Sequence, residues 1–235
     1  MKILLGLIIC LIFQGTFLES SYAQVDSNVL EFLENRLNQW PELYLPNFKL
    51  SDTSKDLIYP EWFEGSWLVT SQNIINDSEE PVIYTVNFFK NDSDLIVGNR
   101  PKNSESIGKA IFGNTLIKVV NDPKSINNQV TYLKNDFYIE SRITGRNQIQ
   151  DEDVFFADEL VIQTAHKPGA SRINQVEIIS KFQKCSKEIL EVNDSIKPSI
   201  CGVQYVASYG SKVGDPSIHT IKTNKYKLTF EFIES

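Results

Sequence analysis

Asp158 and Glu159 form an adjacent acidic pair within a largely apolar stretch. Neighbouring residues on a strand point to opposite faces, so these two carboxylates cannot act together as an acid–base pair. The surrounding alternation places Asp158 on the apolar face, where a buried carboxylate needs a compensating donor. The candidate donors are Arg100, Arg142, Arg146 and Arg172. We expect either an arginine–carboxylate pair that orients the polar end of a ligand, a structural ion pair, or a register that exposes Asp158.

The sequence contains no assembled set of catalytic residues. Its two histidines, His166 and His219, lie far apart, with no cysteine or carboxylate at ligand spacing. Gly-x-Ser-x-Gly, P-loop and Rossmann patterns are absent, and a zinc site lacks ligands. The sequence therefore predicts no metal and no cofactor, and it favours a non-catalytic protein over an enzyme that uses the mouth of a barrel.

Residues 1–23 have the pattern of an export signal. Lys2 precedes an apolar run that ends at Phe13, and the small residues Ser21 and Ala23 suit cleavage after Ala23. The run is shorter than the roughly 20 residues that cross a bilayer, although an uncleaved anchor is the alternative. We expect an exported protein with no transmembrane segment in its mature chain.

The mature chain would keep two cysteines, Cys185 and Cys201, and a net charge of −7. A lone pair of cysteines tends to bond in an oxidising compartment, so we predict a disulfide. The negative charge argues against binding to nucleic acid or to an anionic membrane surface.

An amphipathic helix is predicted from about Asn28 to Gln39, capped by Asp26 or Ser27 and ended by Pro41. Its apolar face consists of Val29, Leu30, Phe32, Leu33, Leu37 and Trp40. We favour a helix that packs outside a barrel over one that docks on a partner. The helix and a connector would occupy residues 24–58, followed by a barrel domain at residues 59–235.

The barrel domain is almost entirely strand-like. Val82–Phe89 and Tyr226–Phe232 alternate in the pattern of half-buried strands, and Ser104–Phe112 has the pattern of a short helix. About eight to ten such strands predict an all-β, antiparallel barrel, whose closure would protect its edges.

The tripeptide Gly65-Ser66-Trp67, placed just before this run of strands, resembles the first motif of the lipocalin and calycin barrels. The resemblance implies structural roles for Gly65 and Trp67, with Trp67 closing the barrel floor. It also implies a basic residue from the last strand, Lys225 or Lys227, over the indole.

Seven segments carry a second resemblance: Tyr59–Trp67, Val97–Arg100, Ser106–Ala110, Asn121–Pro123, Glu140–Ser141, Thr144–Arg146 and Val176–Glu177. In these segments the chain resembles an uncharacterised family of exported, lipocalin-like proteins of cyanobacteria and plastids. The resemblance implies a thylakoid-lumen or periplasmic location, and it brings no catalytic residues.

These patterns predict two alternative functions. The first is the binding of a small apolar ligand, such as a lipid, a pigment or a quinone-like molecule, inside the barrel. Its predicted site consists of Tyr84, Phe88, Arg100, Arg142, Asp158, Tyr205 and Phe230. The alternative is an accessory protein that binds a photosynthetic or envelope membrane complex through an outer patch. That patch would consist of Leu37, Trp40, Trp62, Ile83 and Phe89.

Overall fold

The computed structural model of the protein describes residues 27–48, 55–76, 78–185, 199–212 and 215–233, so the predicted export signal lies outside the described residues. The helices are α1 (Ser27–Gln39) and α2 (Arg100–Phe112). The strands are β1 (Gly65–Asn73), β2 (Val82–Lys90), β3 (Ile96–Gly98), β4 (Leu116–Asn121), β5 (Asn128–Leu133), β6 (Phe137–Gln150), β7 (Val154–Lys167), β8 (Ala170–Lys184), β9 (Ser199–Lys212) and β10 (Asp215–Ile233). In these ranges, no helix is both long and apolar enough to span a bilayer.

The described strands form one antiparallel sheet of ten, in the order β3-β2-β1-β10-β9-β8-β7-β6-β5-β4. The predicted all-β, antiparallel architecture is therefore confirmed. Most neighbours in the sheet are also neighbours in sequence, while β1 pairs with the C-terminal strand β10 from Ser66–Ile233 to Asn73–Tyr226. The sheet curls into a half-barrel with a concave and a convex face.

Strand pairing alone does not close the barrel, so the expected continuous wall of strands is wrong. Among the described residues, the edge strands β3 and β4 do not pair with each other. Helix α2 connects them in sequence and contacts both β2 and β4. The chain forms a helix here because Asn99 accepts a hydrogen bond from the Lys102 N–H and Pro101 occupies the first turn.

Polar side chains attach α2 to the open edge of β2. The Asn103 side chain accepts a hydrogen bond from the Asn87 N–H at 2.8 Å and donates to the Asn87 carbonyl at 3.0 Å. Ser106 Oγ accepts one from the Thr85 N–H at 3.0 Å. These side chains satisfy backbone groups that a neighbouring strand would otherwise bond.

An aromatic core fills much of the concave face. Trp67 is buried there, where its indole N–H donates to the Phe63 carbonyl at 2.7 Å and its ring packs 5.3 Å from that of Phe232. The predicted lysine over this indole is wrong, because both candidates, Lys225 and Lys227, face the opposite side of the sheet from the core residues of β10. The Lys225 ammonium lies over the Tyr205 ring instead, at 4.8 Å.

Helix α1 and the segment after it cover part of the convex face. Leu43, Ile179, Ala207 and Tyr209 form a second buried cluster, against which Trp40 packs. The Trp40 ring lies edge-on to Tyr205 at 5.2 Å. The helix therefore packs on its own sheet, as favoured over a partner-docking helix.

The predicted disulfide between Cys185 and Cys201 is confirmed. It joins the residue after β8 to the beginning of β9, where Gln183 pairs with Cys201 in the ladder. The bond encloses residues 186–200, of which 186–198 lie outside the described ranges. A disulfide fits an oxidising compartment.

Replacing Gly65 with alanine is expected to lower the free energy of unfolding by about 1–3 kcal/mol. Gly65 has φ +120°, and an added Cβ would approach Phe232 Cε2 to 2.6 Å. Chemical denaturation measures the change, with Gly169→Ala as the matched control. Gly169 also has a positive φ, of +78°, but open space around it. Equal losses in both variants would contradict a role for the Phe232 contact.

Candidate functional site

A cavity of about 230 Å³ lies between α2 and the concave face of the sheet. Its wall combines aromatic and aliphatic side chains from the sheet with polar side chains from α2 and the connector. Among the lining residues are Asp56, Tyr59, Phe63, Tyr84, Phe88, Arg100, Asn103, Ile107, Glu159, Phe182, Gln204 and Phe230.

Phenylalanine rings form a rigid wall on one side of the cavity. The Phe63 ring lies 5.0 Å from that of Phe88 and 5.4 Å from that of Phe182, and both contacts are edge-to-face. Phe182 in turn lies edge-on to Phe230 at 5.7 Å. Because these rings fix one another, the wall is already shaped before a ligand arrives.

Two tyrosines, Tyr59 and Tyr84, line this cavity. Among the described residues, neither the Tyr59 nor the Tyr84 hydroxyl has a hydrogen-bond partner. Burial raises the pKa of Tyr84 to about 12. Burial and the nearby Glu159 charge raise that of Tyr59. Both groups therefore remain protonated and can donate to an acceptor in the cavity.

Charged residues at the polar side of the cavity are paired. Arg100 Nε donates to Asp56 at 2.8 Å, and Arg146 Nη2 donates to Glu159 at 2.6 Å. Burial disfavours the charged form of Arg100, but the bond to Asp56 and its charge outweigh this effect and raise the pKa of the guanidinium. The two cations and two anions balance, so these four side chains add no net charge.

A protein-family model described as a domain of unknown function (DUF6816) matches residues 71–231. The chain belongs to this family. The match extends from within β1 to within β10 and so includes the strands that line the cavity. This match agrees with the prediction of an uncharacterised family, one without an assigned activity. No curated protein and no solved structure matches the chain.

Four of the seven predicted ligand-binding residues line the cavity of this DUF6816 chain: Tyr84, Phe88, Arg100 and Phe230. They come together because Tyr84, Phe88 and Phe230 point to the concave face, and Arg100 begins the helix that covers it. This grouping agrees with the predicted alternation of β2 and β10.

The other three predicted residues lie elsewhere. Arg142 is exposed and lines a separate groove. Asp158 and Tyr205 lie on the convex face, because each shares its face with Ile179, their cross-strand partner beneath α1. Assigning Tyr205 and Asp158 to the barrel interior was therefore wrong.

Sequence reasoning missed Asp56 and Tyr59 as part of the site. Asp56 lies in the connector, where no periodic pattern indicates a direction for its side chain. Tyr59 opens the aromatic segment that precedes Gly65, and that concentration of rings before the first strand was an available signal. Its ring lies 4.6 Å from Phe88 and 5.1 Å from Phe63.

The residues of the predicted outer patch do not form one surface. Ile83 and Phe89 are exposed, at 57% and 43%. Leu37 and Trp40 instead pack on the convex face of the sheet. Trp62 stacks on Phe63 with 4.6 Å between ring centroids. The structure therefore offers less support for an accessory-protein surface than for the cavity.

Proposed function

We propose that this protein is a non-catalytic carrier for a small, neutral, largely apolar molecule held between α2 and the concave face. The observation that carries this proposal is the aromatic cavity with Tyr59 and Tyr84 in its lining. Ligand sites in proteins are typically concave and mostly apolar, with a few polar groups that fix orientation. In the lipocalin-like role that we propose, the ligand likewise binds in an apolar space inside the curled sheet.

The volume of the cavity limits the ligand. At about 230 Å³, the cavity is small. It is smaller than the roughly 300–1,000 Å³ of cavities that enclose drug-sized ligands. A single-ring molecule or the ring of a larger one fits this space, whereas a whole lipid or a macrocyclic pigment does not.

The polar groups favour a quinone-like ligand among those considered. A quinone ring presents flat apolar faces to Phe88 and Phe230, and its carbonyl oxygens can accept from Tyr59 and Tyr84. The balanced Arg100–Asp56 and Arg146–Glu159 pairs provide no excess charge for an ionised ligand. A neutral ligand with oxygen acceptors thus matches both the apolar wall and the polar groups.

We also propose that the carrier works after export, in the thylakoid lumen or the periplasm. The disulfide between Cys185 and Cys201 supports an oxidising compartment. The signal-like pattern of residues 1–23 supports export. Fractionation of cells that produce the full chain, with N-terminal sequencing of the product, tests both parts.

Binding of duroquinone, a tetramethylated single-ring quinone, tests the carrier function. Isothermal titration calorimetry should detect one site, and Tyr84→Phe should weaken it about threefold to tenfold because one hydrogen bond is lost. The control is Tyr44→Phe, since Tyr44 is exposed and does not line the cavity.

Native mass spectrometry of the protein from its own source should additionally reveal a bound ring compound. Absence of both duroquinone binding and a co-purified ligand would overturn the carrier proposal. Equal weakening by Tyr84→Phe and Tyr44→Phe would show that binding occurs outside the cavity.

A further inference from the structure

Four polar side chains meet beneath α1, on the face of the sheet opposite the cavity. Arg36 comes from α1, Asp158 from β7, Glu177 from β8 and Tyr209 from β9. Asp158 and Glu177 are fully buried, and Arg36 and Tyr209 are 6% and 4% exposed. This cluster is therefore shielded from water and is separate from the proposed ligand site.

Arg36 forms hydrogen bonds with Glu177 and Tyr209. Its Nε donates to Glu177 Oε1 at 2.9 Å, and its Nη2 donates to Glu177 Oε2 at 2.6 Å. Nη2 also donates to the Tyr209 hydroxyl at 2.7 Å, and that hydroxyl donates to Glu177 Oε2. Glu177 thus has the hydrogen bonds and the positive charge that a buried carboxylate requires.

Asp158 has no such compensation. Both of its carboxyl oxygens are buried, and among the described residues no donor forms a hydrogen bond to either oxygen. One guanidinium cannot neutralise two carboxylates, and an ionised carboxylate without partners in an apolar setting is strongly unfavourable. A protonated carboxyl avoids that cost and gains a hydrogen to donate.

We propose that Asp158 is a proton-binding site whose proton, donated to the Glu177 carboxylate, holds α1 against the sheet. The protonated Asp158 leaves Glu177 as the only negative partner for Arg36. Loss of the proton would leave Asp158 as a second ionised carboxylate near Glu177, buried where water cannot reach it. Movement of α1 away from the sheet would admit water to this carboxylate, so ionisation of Asp158 favours release of the helix.

The charges around Asp158 support this assignment. Burial and the Glu177 charge raise the pKa of Asp158 well above its ordinary value of 3.8, and Glu159 acts in the same direction. Arg36 opposes these effects without reversing them. Because the pKa is higher in the folded than in the unfolded chain, the stabilising effect is complete in acid. It is lost as the pH rises through the raised value.

Release of α1 is expected to leave the rest of the fold in place. The residues beneath the helix belong to the convex cluster of Leu43, Ile179, Ala207 and Tyr209. The main core lies on the concave face around Phe63 and includes no residue of α1. A proton at Asp158 thus controls one helix and the apolar surface that it covers.

Infrared difference spectroscopy of the full chain tests for the proton. The native protein should show the carbonyl band of a protonated carboxyl at a pH above the range in which exposed carboxyl groups titrate, and Asp158→Asn should lack it. The control is Asp153→Asn, because the Asp153 side chain is 76% exposed. Glu177→Gln is a second variant that should also lose the band, since Asp158 then ionises beside Arg36. Persistence of the band in Asp158→Asn, or its absence from the native protein, would overturn the proposal.

Hydrogen exchange of α1, corrected for the intrinsic rate at each pH, tests the coupling. As the pH rises from the ordinary carboxyl range to the raised pKa of Asp158, α1 protection should fall by up to about tenfold per pH unit, as expected for one linked proton. Protection of α1 should then level off above that pKa, while β1 and β10 remain protected throughout. Asp158→Asn should remove this dependence, and Asp153→Asn should retain it. The same pH dependence in Asp158→Asn, or a uniform loss of protection throughout the sheet, would overturn the control of α1 by this proton.

Discussion

Replacing Phe63 with alanine is expected to lower the free energy of unfolding by about 3–5 kcal/mol, as measured by urea denaturation. Phe63 is fully buried at the centre of the concave core. Its ring contacts those of Tyr59, Trp62, Phe88, Phe155, Phe182 and Phe230. Truncation removes buried apolar area and all of these ring contacts, and rings that fix one another cannot readily fill the space.

The control for this prediction is Phe89→Ala, on the outward face of β2. Phe89 is 43% exposed, so its loss should change stability much less. The Phe63 variant should also bind duroquinone more weakly, because Phe63 forms part of the cavity wall. Similar stability losses in the two variants would contradict a central structural role for Phe63.

Replacing Arg36 with methionine is expected to cost about 3–5 kcal/mol, because Glu177 then remains buried without its positive partner. Methionine retains much of the length and apolar stem of arginine, so the loss would reflect charge and hydrogen bonding. Arg36 makes two hydrogen bonds to Glu177. Because Arg36 is only 6% exposed, solvent screens this ion pair weakly. Thermal and chemical denaturation at neutral pH measure the effect.

A double variant distinguishes the loss of the Arg36–Glu177 ion pair from the loss of packing by the Arg36 side chain. Adding Glu177→Gln to Arg36→Met removes the buried charge and should recover most of the lost stability. Recovery identifies the unpaired carboxylate as the cause of the loss. A double variant as unstable as Arg36→Met would instead attribute the loss to the packing of the Arg36 side chain.

Local periodicity made the strands and α2 predictable from the sequence. Alternating residues in Tyr226–Phe232 place aromatic side chains on one face, and β10 has this arrangement. The helix predicted at Ser104–Phe112 is present as α2, although it begins at Arg100. In both segments, the pattern within a few residues determines which side chains share a face.

The faces of β9 were harder to assign, because both are partly buried. Tyr205 and Tyr209 pack beneath α1 and its following segment, whereas Ile200 belongs to the concave core. When a helix covers the outer face, apolar residues on a strand no longer mark the interior of a barrel. The position of Tyr205 therefore depends on a tertiary contact that its local sequence does not encode.

Arg36 was missed although the sequence carried a signal. It lies between Leu33 and Leu37 on the predicted apolar face of the helix, where a charge is unexpected. Asp158 was recognised as a similar exception on its strand. The approach of α1 to β8 joins residues 141 positions apart, Arg36 and Glu177, and periodicity alone does not determine that arrangement.

The way in which α2 covers β2 has a consequence for self-association. β2 pairs with β3 only from Phe88 to Lys90, so the remainder of its edge would be a template for strands of other molecules. Asn103 and Ser106 occupy the backbone groups of Asn87 and Thr85 on that edge. A foreign strand must displace the helix before it can add there, and α2 thus protects the half-barrel against edge-to-edge aggregation.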